Sequence, residues 1–202
     1  FMAEFAEQVD AYLPFNKLTE SFVLGGDLLP EPSHKYFCGI DQSGLSGKDR
    51  FALAVAHRED KEVIVDVVRA WDTKNGRQII TEAKGIARDY GIDAVTVDRY
   101  AGGWIAEAFQ SVGLEVKTRE SLPNVYQNFK SLLLAGCLRL PDVRSLRDGL
   151  ARTQAYYGRN NSLSISHERS AAGHADEADA CVTAVWCASS KQQGGYFSGV
   201  LT

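Results

Sequence analysis

No apolar stretch in these 202 residues approaches the ~18–20 needed to span a bilayer. The opening FMAEFAEQVD is acidic and lacks a basic segment followed by an apolar one, so it does not read as a secretory signal. It begins with Phe rather than Met, which fits a piece of a longer protein with a further N-terminal domain. The four cysteines, Cys38, Cys137, Cys181 and Cys187, form no CxxC pair, and three lie in apolar runs. Buried, reduced thiols are favoured over a zinc centre or a disulfide frame. Gly47-Lys48 hints at a phosphate loop, but position 42 is Gln where a Walker A motif has glycine, and residue 49 is Asp rather than Ser or Thr. His167-Glu168 has no second histidine at zinc-protease spacing, no GxSxG elbow occurs, and there are no internal repeats.

What is there is an ordinary globular composition, 45% hydrophobic and 24% charged, enough for one domain with a substantial core. Tyr36 to Ala56 reads as a β-hairpin: an apolar run through Phe37, Cys38 and Ile40 ending at Asp41, a Gly-containing turn, then a second run from Phe51. Residues 61–71, KEVIVDVVRAW, form a third strand of an antiparallel meander. The period then becomes helical over 76–90, with Gly91 closing it. Short strands are expected at 93–97, 114–116, 137–142 and 163–165. Further helices are expected after Gly102-Gly103, over 125–135 and over 143–156, and an Ala-rich one over 175–189. The reading is an α/β domain whose mixed sheet, antiparallel meander plus parallel strands, carries helices on both faces, with the first strand central.

Charge is uneven. The formal net charge is −4, yet between Lys117 and Arg169 nine Lys and Arg face four acids, so the remainder carries −9. A solvated face explains such a stretch as well as a polyanion-binding strip does. The candidate contacts in it are Lys130, Arg139, Arg144, Arg147, Arg152, Arg159 and Arg169.

The chemistry rests on carboxylates. Asp41 ends the first strand and Asp98 ends VTVD; parallel neighbouring strands would set these two acids side by side. Asp176 and Asp179, in HADEADA, have the i, i+3 spacing that shares one helical face, at a helix start that favours negative charge. Taken singly, Asp176 is a helix-start charge and Asp98 a turn former. Gathered together, the four would repel unless a cation neutralised them. Oxygen ligands alone point to a hard divalent ion, Mg²⁺ or Mn²⁺. A pair of such ions roughly 3.5–4 Å apart is suited to in-line phosphodiester cleavage.

The order of hairpin acid, strand-end acid and acid pair heading an Ala-rich helix resembles the ribonuclease H-like nucleases and resolvases. More narrowly, GIDQSGLSGKDRFALAV, VTVDRYAGGW, LLLAGCLRLPD and GHADEADACVTAVWCA resemble the C-terminal nuclease domain of tailed-bacteriophage large terminase subunits, over roughly residues 1–190. The resemblance implies residues 1–33 as a connector from a packaging ATPase domain, 34–190 as the nuclease domain, and 191–202 as a loose tail. It implies a metal-dependent endonuclease that cuts concatemeric viral DNA during genome packaging, in the host cytoplasm, with two Mg²⁺ or Mn²⁺ ions. Double-stranded DNA, the ATPase domain, the small terminase subunit and the portal are the implied partners, with no membrane and no ATPase activity in this fragment. Asp41 would bridge both ions, Asp98 would bind one, and Asp176 or Asp179 the other, with Asp176 favoured. His174, Gln42 (through its backbone carbonyl) and Asp49 are auxiliary candidates.

Three rivals stand beside this reading. A junction resolvase or a ribonuclease could use the same acids on the same fold. A sugar-kinase- or actin-like ATPase shares GIDQSG, but it needs two such lobes, for which 202 residues is too short. A non-catalytic binding module, whose acids only cap and pair, is the third.

Overall fold

The computed structural model describes residues 11–42, 51–72, 75–99, 103–158, 162–167 and 175–190. Along the chain these form α1 (Phe15–Ser21), β1 (Phe22–Leu24), β2 (Tyr36–Gln42), β3 (Phe51–Glu59), β4 (Glu62–Trp71), α2 (Gly76–Asp89), β5 (Ala94–Val97) and α3 (Gly103–Ser111). There follow β6 (Glu115–Thr118), α4 (Leu122–Leu134), β7 (Leu138–Pro141), α5 (Arg144–Ala151), β8 (Thr153–Tyr157), β9 (Leu163–His167) and α6 (Asp176–Ser190).

β2, β3 and β4 make the expected antiparallel meander, because each is an apolar run long enough to be buried on both faces. Every β3 residue from Phe51 to His57 is buried. Parallel strands extend the meander on both sides, giving the order β1-β7-β4-β3-β2-β5-β6. β2 is thus an interior strand, but β3 takes the central position that the sequence reading gave to β2.

Helices cover both faces. On one, α2 and α3 pack Ile79, Ile80, Ala83, Ile105 and Phe109 against Cys38, Ile40, Leu53 and Val67. On the other, α4, α5 and α6 pack Phe129, Leu133, Leu146, Leu150, Cys181, Val182 and Val185 against Ala52, Ala54, Val63 and Val65. Asn75 caps α2 by accepting from the Gln78 N–H at 3.3 Å, and Gly91 ends it with φ of 61°, a conformation natural to glycine. The four cysteines are free, three of them buried. Among the described residues no helix is long and apolar enough to cross a membrane.

Two local expectations change, and the segment before β2 gains defined elements. Within 1–33, residues 15–21 form a helix and 22–24 an edge strand paired in parallel with β7; the buried Tyr12, Leu13, Leu18 and Leu24 supply the apolar anchor for this ordering. The helix expected over 143–156 stops at Ala151, because Thr153 to Tyr157, rich in β-branched and aromatic residues, pairs with β9. That pairing also gives the 163–167 strand a place in a separate two-stranded ribbon, outside the main sheet. A buried pair, His57 Nδ1 and Asp66 Oδ2 at 2.8 Å, links β3 and β4 at the end of the sheet away from Asp41, with His34 stacked on His57 at 4.3 Å.

Candidate active site

Strand pairing brings the first two acids together. β2 and β5 run parallel with Cys38 opposite Val95 and Gly39 opposite Thr96. Continued by two residues, the same register sets Asp41 beside Asp98. Alternation along β2 sends Gly39 and Asp41 to the face covered by α6, and Cys38, Ile40 and Gln42 to the face covered by α2 and α3.

α6 brings the other two. It lies directly on β2 at Gly39, where an added Cβ would fall 2.4 Å from the Ala180 carbonyl oxygen, 2.5 Å from the Ala184 nitrogen and 2.9 Å from the Thr183 Cβ. Only glycine permits that approach. On its outer side α6 is met by α5 at Gly149, whose missing side chain makes room for Ala178 and Ala175. The helix is buried almost all round, including Asp176 and Glu177 at its start.

The electrostatics register the convergence. Asp41 is held well above the ordinary carboxylate range, first by burial, then by the negative charges of Asp179 and Asp176. Asp98 adds a smaller push, and the Arg119 guanidinium opposes them all. Three of the expected acids, Asp98, Asp176 and Asp179, thus act on the fourth, Asp41.

Two of the acids, Asp98 and Asp179, are engaged by protein partners. Arg119, 5% exposed, pairs through Nη2 with Asp98 and donates through Nη1 to the Glu120 carbonyl at 3.1 Å. Asp179 accepts from the Tyr126 hydroxyl at 2.7 Å and lies 2.9 Å from His167 Nε2. His167 Nδ1 is in turn 3.5 Å from Thr153 Oγ1, so the β8–β9 ribbon is tied to the acid-bearing helix. Burial and the neighbouring Asp179 charge push the Tyr126 hydroxyl well above its usual range, so it remains a donor.

In kind, these donors suit a hard divalent ion: four carboxylates and no thiol. Among the described residues, no group of three or more His, Cys, Asp and Glu side chains is gathered in ligating geometry. One carboxylate oxygen of Asp98 and one of Asp179 are engaged by protein partners.

The remaining candidates divide clearly. The Gln42 side chain leaves β2 on the face opposite Asp41, and its Oε1 is buried without a hydrogen-bond partner among the described residues. His174, Asp49, Arg159 and Arg169 lie outside the described residues. Within the basic stretch, Arg119 is buried in the acid cluster, Lys117 pairs with Glu115 at 2.9 Å, and Arg147 pairs with Asp142 at 2.6 Å. Lys130 sits over the Tyr12 ring at 4.3 Å, and Arg144, 94% exposed, reaches Asp148 only at 3.9 Å. Arg139 and Arg152 are partly exposed. Several of the nine cations are thus committed to acids or rings.

The sequence reading missed Arg119, Tyr126 and His167 as site residues. Arg119 is placed by strand pairing rather than by a local signal: β5 and β6 run parallel with Val97 opposite Thr118, so the residues that follow, Asp98 and Arg119, are set together. In sequence His167 reads only as a zinc-protease histidine that lacks its partner, and nothing in the local pattern around Tyr126 marks it.

No protein-family model and no curated protein matches the chain. Solved structures do. The large terminase nuclease of thermophilic phage G20c superimposes with a TM-score of 0.70 at 18% identity, covering 84% of this chain and 95% of that one. The fold is that of a large terminase nuclease. The nuclease domain of Thermus phage P74-26 large terminase agrees, with a TM-score of 0.68 at 18% identity, covering 84% of this chain and 92% of that one. The bacteriophage HK97 large terminase gives 0.71 at 14% identity over 89% of this chain, which spans 44% of that longer protein. The G20c terminase nuclease has also been solved with bound magnesium, with cobalt and with zinc. The seven-stranded mixed sheet with helices on both faces is the ribonuclease H-like architecture expected from the acid pattern.

Proposed function

We propose that this chain is a divalent-metal-dependent endonuclease that cuts concatemeric viral DNA during genome packaging. What supports the reading is the placing of Asp41 and Asp98 at the ends of adjacent parallel strands, with Asp176 and Asp179 at the start of the helix packed on β2, on a terminase-nuclease fold. Such a charge concentration destabilises a fold unless a cation neutralises it, so function is the economical reason for it.

Asp41, on an interior strand, is the central ligand, with Asp98 beside it and Asp176 and Asp179 supplied by the helix. These four residues would hold two Mg²⁺ or Mn²⁺ ions, whose chemistry when bound would be activation of water and neutralisation of charge for in-line phosphodiester hydrolysis. Tyr126 and His167 fix the carboxylate of Asp179, in the way that outer partners of metal ligands commonly do. Exposed cations such as Arg144 contribute to holding the duplex backbone. The likeness to large terminases supports a setting in the host cytoplasm, beside a packaging ATPase domain, the small terminase subunit and the portal, with no ATPase activity in this fragment.

The test is plasmid cleavage in Mn²⁺ by the wild-type chain and by Asp41→Ala, with circular dichroism to confirm that the variant is folded. Loss of cutting in a folded variant is expected; unchanged cutting refutes the assignment. Linear duplex, a four-way junction and an RNA–DNA hybrid, compared as substrates, separate the terminase reading from a resolvase or a ribonuclease on the same fold.

A further inference from the structure

Arg119 stands out as a permanent positive charge, 5% exposed, inside a cluster proposed to hold metal ions. A buried arginine stays protonated, so it cannot leave this site by titration. Its backbone N–H donates to the Val97 carbonyl at 2.9 Å, extending the β5–β6 pairing by one residue and fixing where the side chain starts. The guanidinium then makes two commitments, to the Glu120 carbonyl and to Asp98. The pair is lopsided: the Arg119 side chain is 4% exposed and that of Asp98 30%. The acid is partly exposed while the cation is buried.

From this arrangement we infer that Arg119 is an internal counter-cation that competes with divalent ions for Asp98. The inference rests on the metal-site reading of the four acids and names the residue that sets how tightly the free protein holds metal. An arriving ion meets two obstacles, a carboxylate already engaged by a guanidinium and the like charge of that guanidinium nearby. In return, Arg119 partly offsets the mutual repulsion of the acids when no metal is bound, which lets the cluster fold in advance. Arg119 is a positioning residue in this role, acting through Asp98.

The test is Mn²⁺ titration by calorimetry on the wild-type chain, Arg119→Gln, Arg119→Lys and Asp41→Ala. Arg119→Gln is expected to bind Mn²⁺ at least about tenfold more tightly, equivalent to about 1.4 kcal/mol. Its melting temperature without metal should be lower than that of wild type, and its rise on adding Mn²⁺ larger. Arg119→Lys keeps the charge but loses the fork that fits a carboxylate, and should fall between the two. It also serves as the probe should Arg119→Gln fail to fold. A purely structural role predicts lower stability with unchanged or weaker metal affinity in both variants, and that result overturns the competition. Failure of the underlying reading has a different signature: a wild-type Mn²⁺ signal that persists in Asp41→Ala shows that the acids are not the metal site. A signal that needs Asp41 but does not strengthen in either Arg119 variant removes the competition alone.

Discussion

Gly39→Ala probes the contact that brings the acids together. The added methyl would fall 2.4 Å from the Ala180 carbonyl oxygen and 2.5 Å from the Ala184 nitrogen, about 1 Å short of ordinary van der Waals contact. Both obstacles are backbone atoms of α6, so no side-chain rotation relieves them and the helix itself must move. Overpacking of this kind costs about 1–3 kcal/mol. Because the clash is with backbone on a helix buried almost all round, the upper end applies. At about 2–4 °C per kcal/mol for a chain of this size, the melting temperature should fall by about 6–12 °C. A displacement of about 1 Å also shifts Asp176 and Asp179 relative to Asp41, and misplacement on that scale can cost about a hundredfold in rate. Thermal unfolding and plasmid cleavage, measured on the same preparation, report the two effects. A melting temperature within 1 °C of wild type together with full cleavage would show that α6 does not bear on β2 through this glycine.

Two further substitutions examine the electrostatics and the hydrogen bonds of the site. The folded-state affinity of Asp41 for its proton is raised by burial and by neighbouring acids, so its contribution to stability is present below the unfolded carboxylate range, ~4, and is lost as pH rises through the higher folded value. Asp41→Asn should therefore melt above wild type at neutral pH in the presence of chelator, with the gap closing on acidification towards ~4; parallel melting curves across that range would contradict this. Tyr126→Phe removes the 2.7 Å donor to Asp179 while keeping the buried ring, and should lower metal affinity or cleavage by about 10–100-fold. Calorimetry and cleavage both matching wild type would exclude a positioning role for that hydroxyl.

Much of the sheet was legible because its signals are local. The unbroken apolar runs of β3 and β4 read as strands covered on both faces, and Gly91 marked the end of α2. The acids were legible as a set because each ends or begins an element, a position read directly from periodicity. What escaped depends on pairing between distant segments. Thr153 to Tyr157 continues a helical period, and only its partner β9 makes it a strand. Arg119 looks like one more member of a basic stretch until β6 is laid beside β5, when it becomes the neighbour of Asp98. His167 and Tyr126 reach Asp179 across 12 and 53 residues of sequence, and no spacing rule links positions so far apart.

The order of elements along the chain has a consequence for synthesis. Asp41, Asp98 and Arg119 all precede α4, whereas Asp176 and Asp179 arrive with α6, after every strand of the sheet. While the polypeptide is still emerging, the partial sheet carries two of the acids against one arginine. The charge imbalance enters only when α6 docks on Gly39. A nascent chain therefore lacks two of the four acids until its sheet is complete, so the proposed metal site cannot assemble before α6 is made.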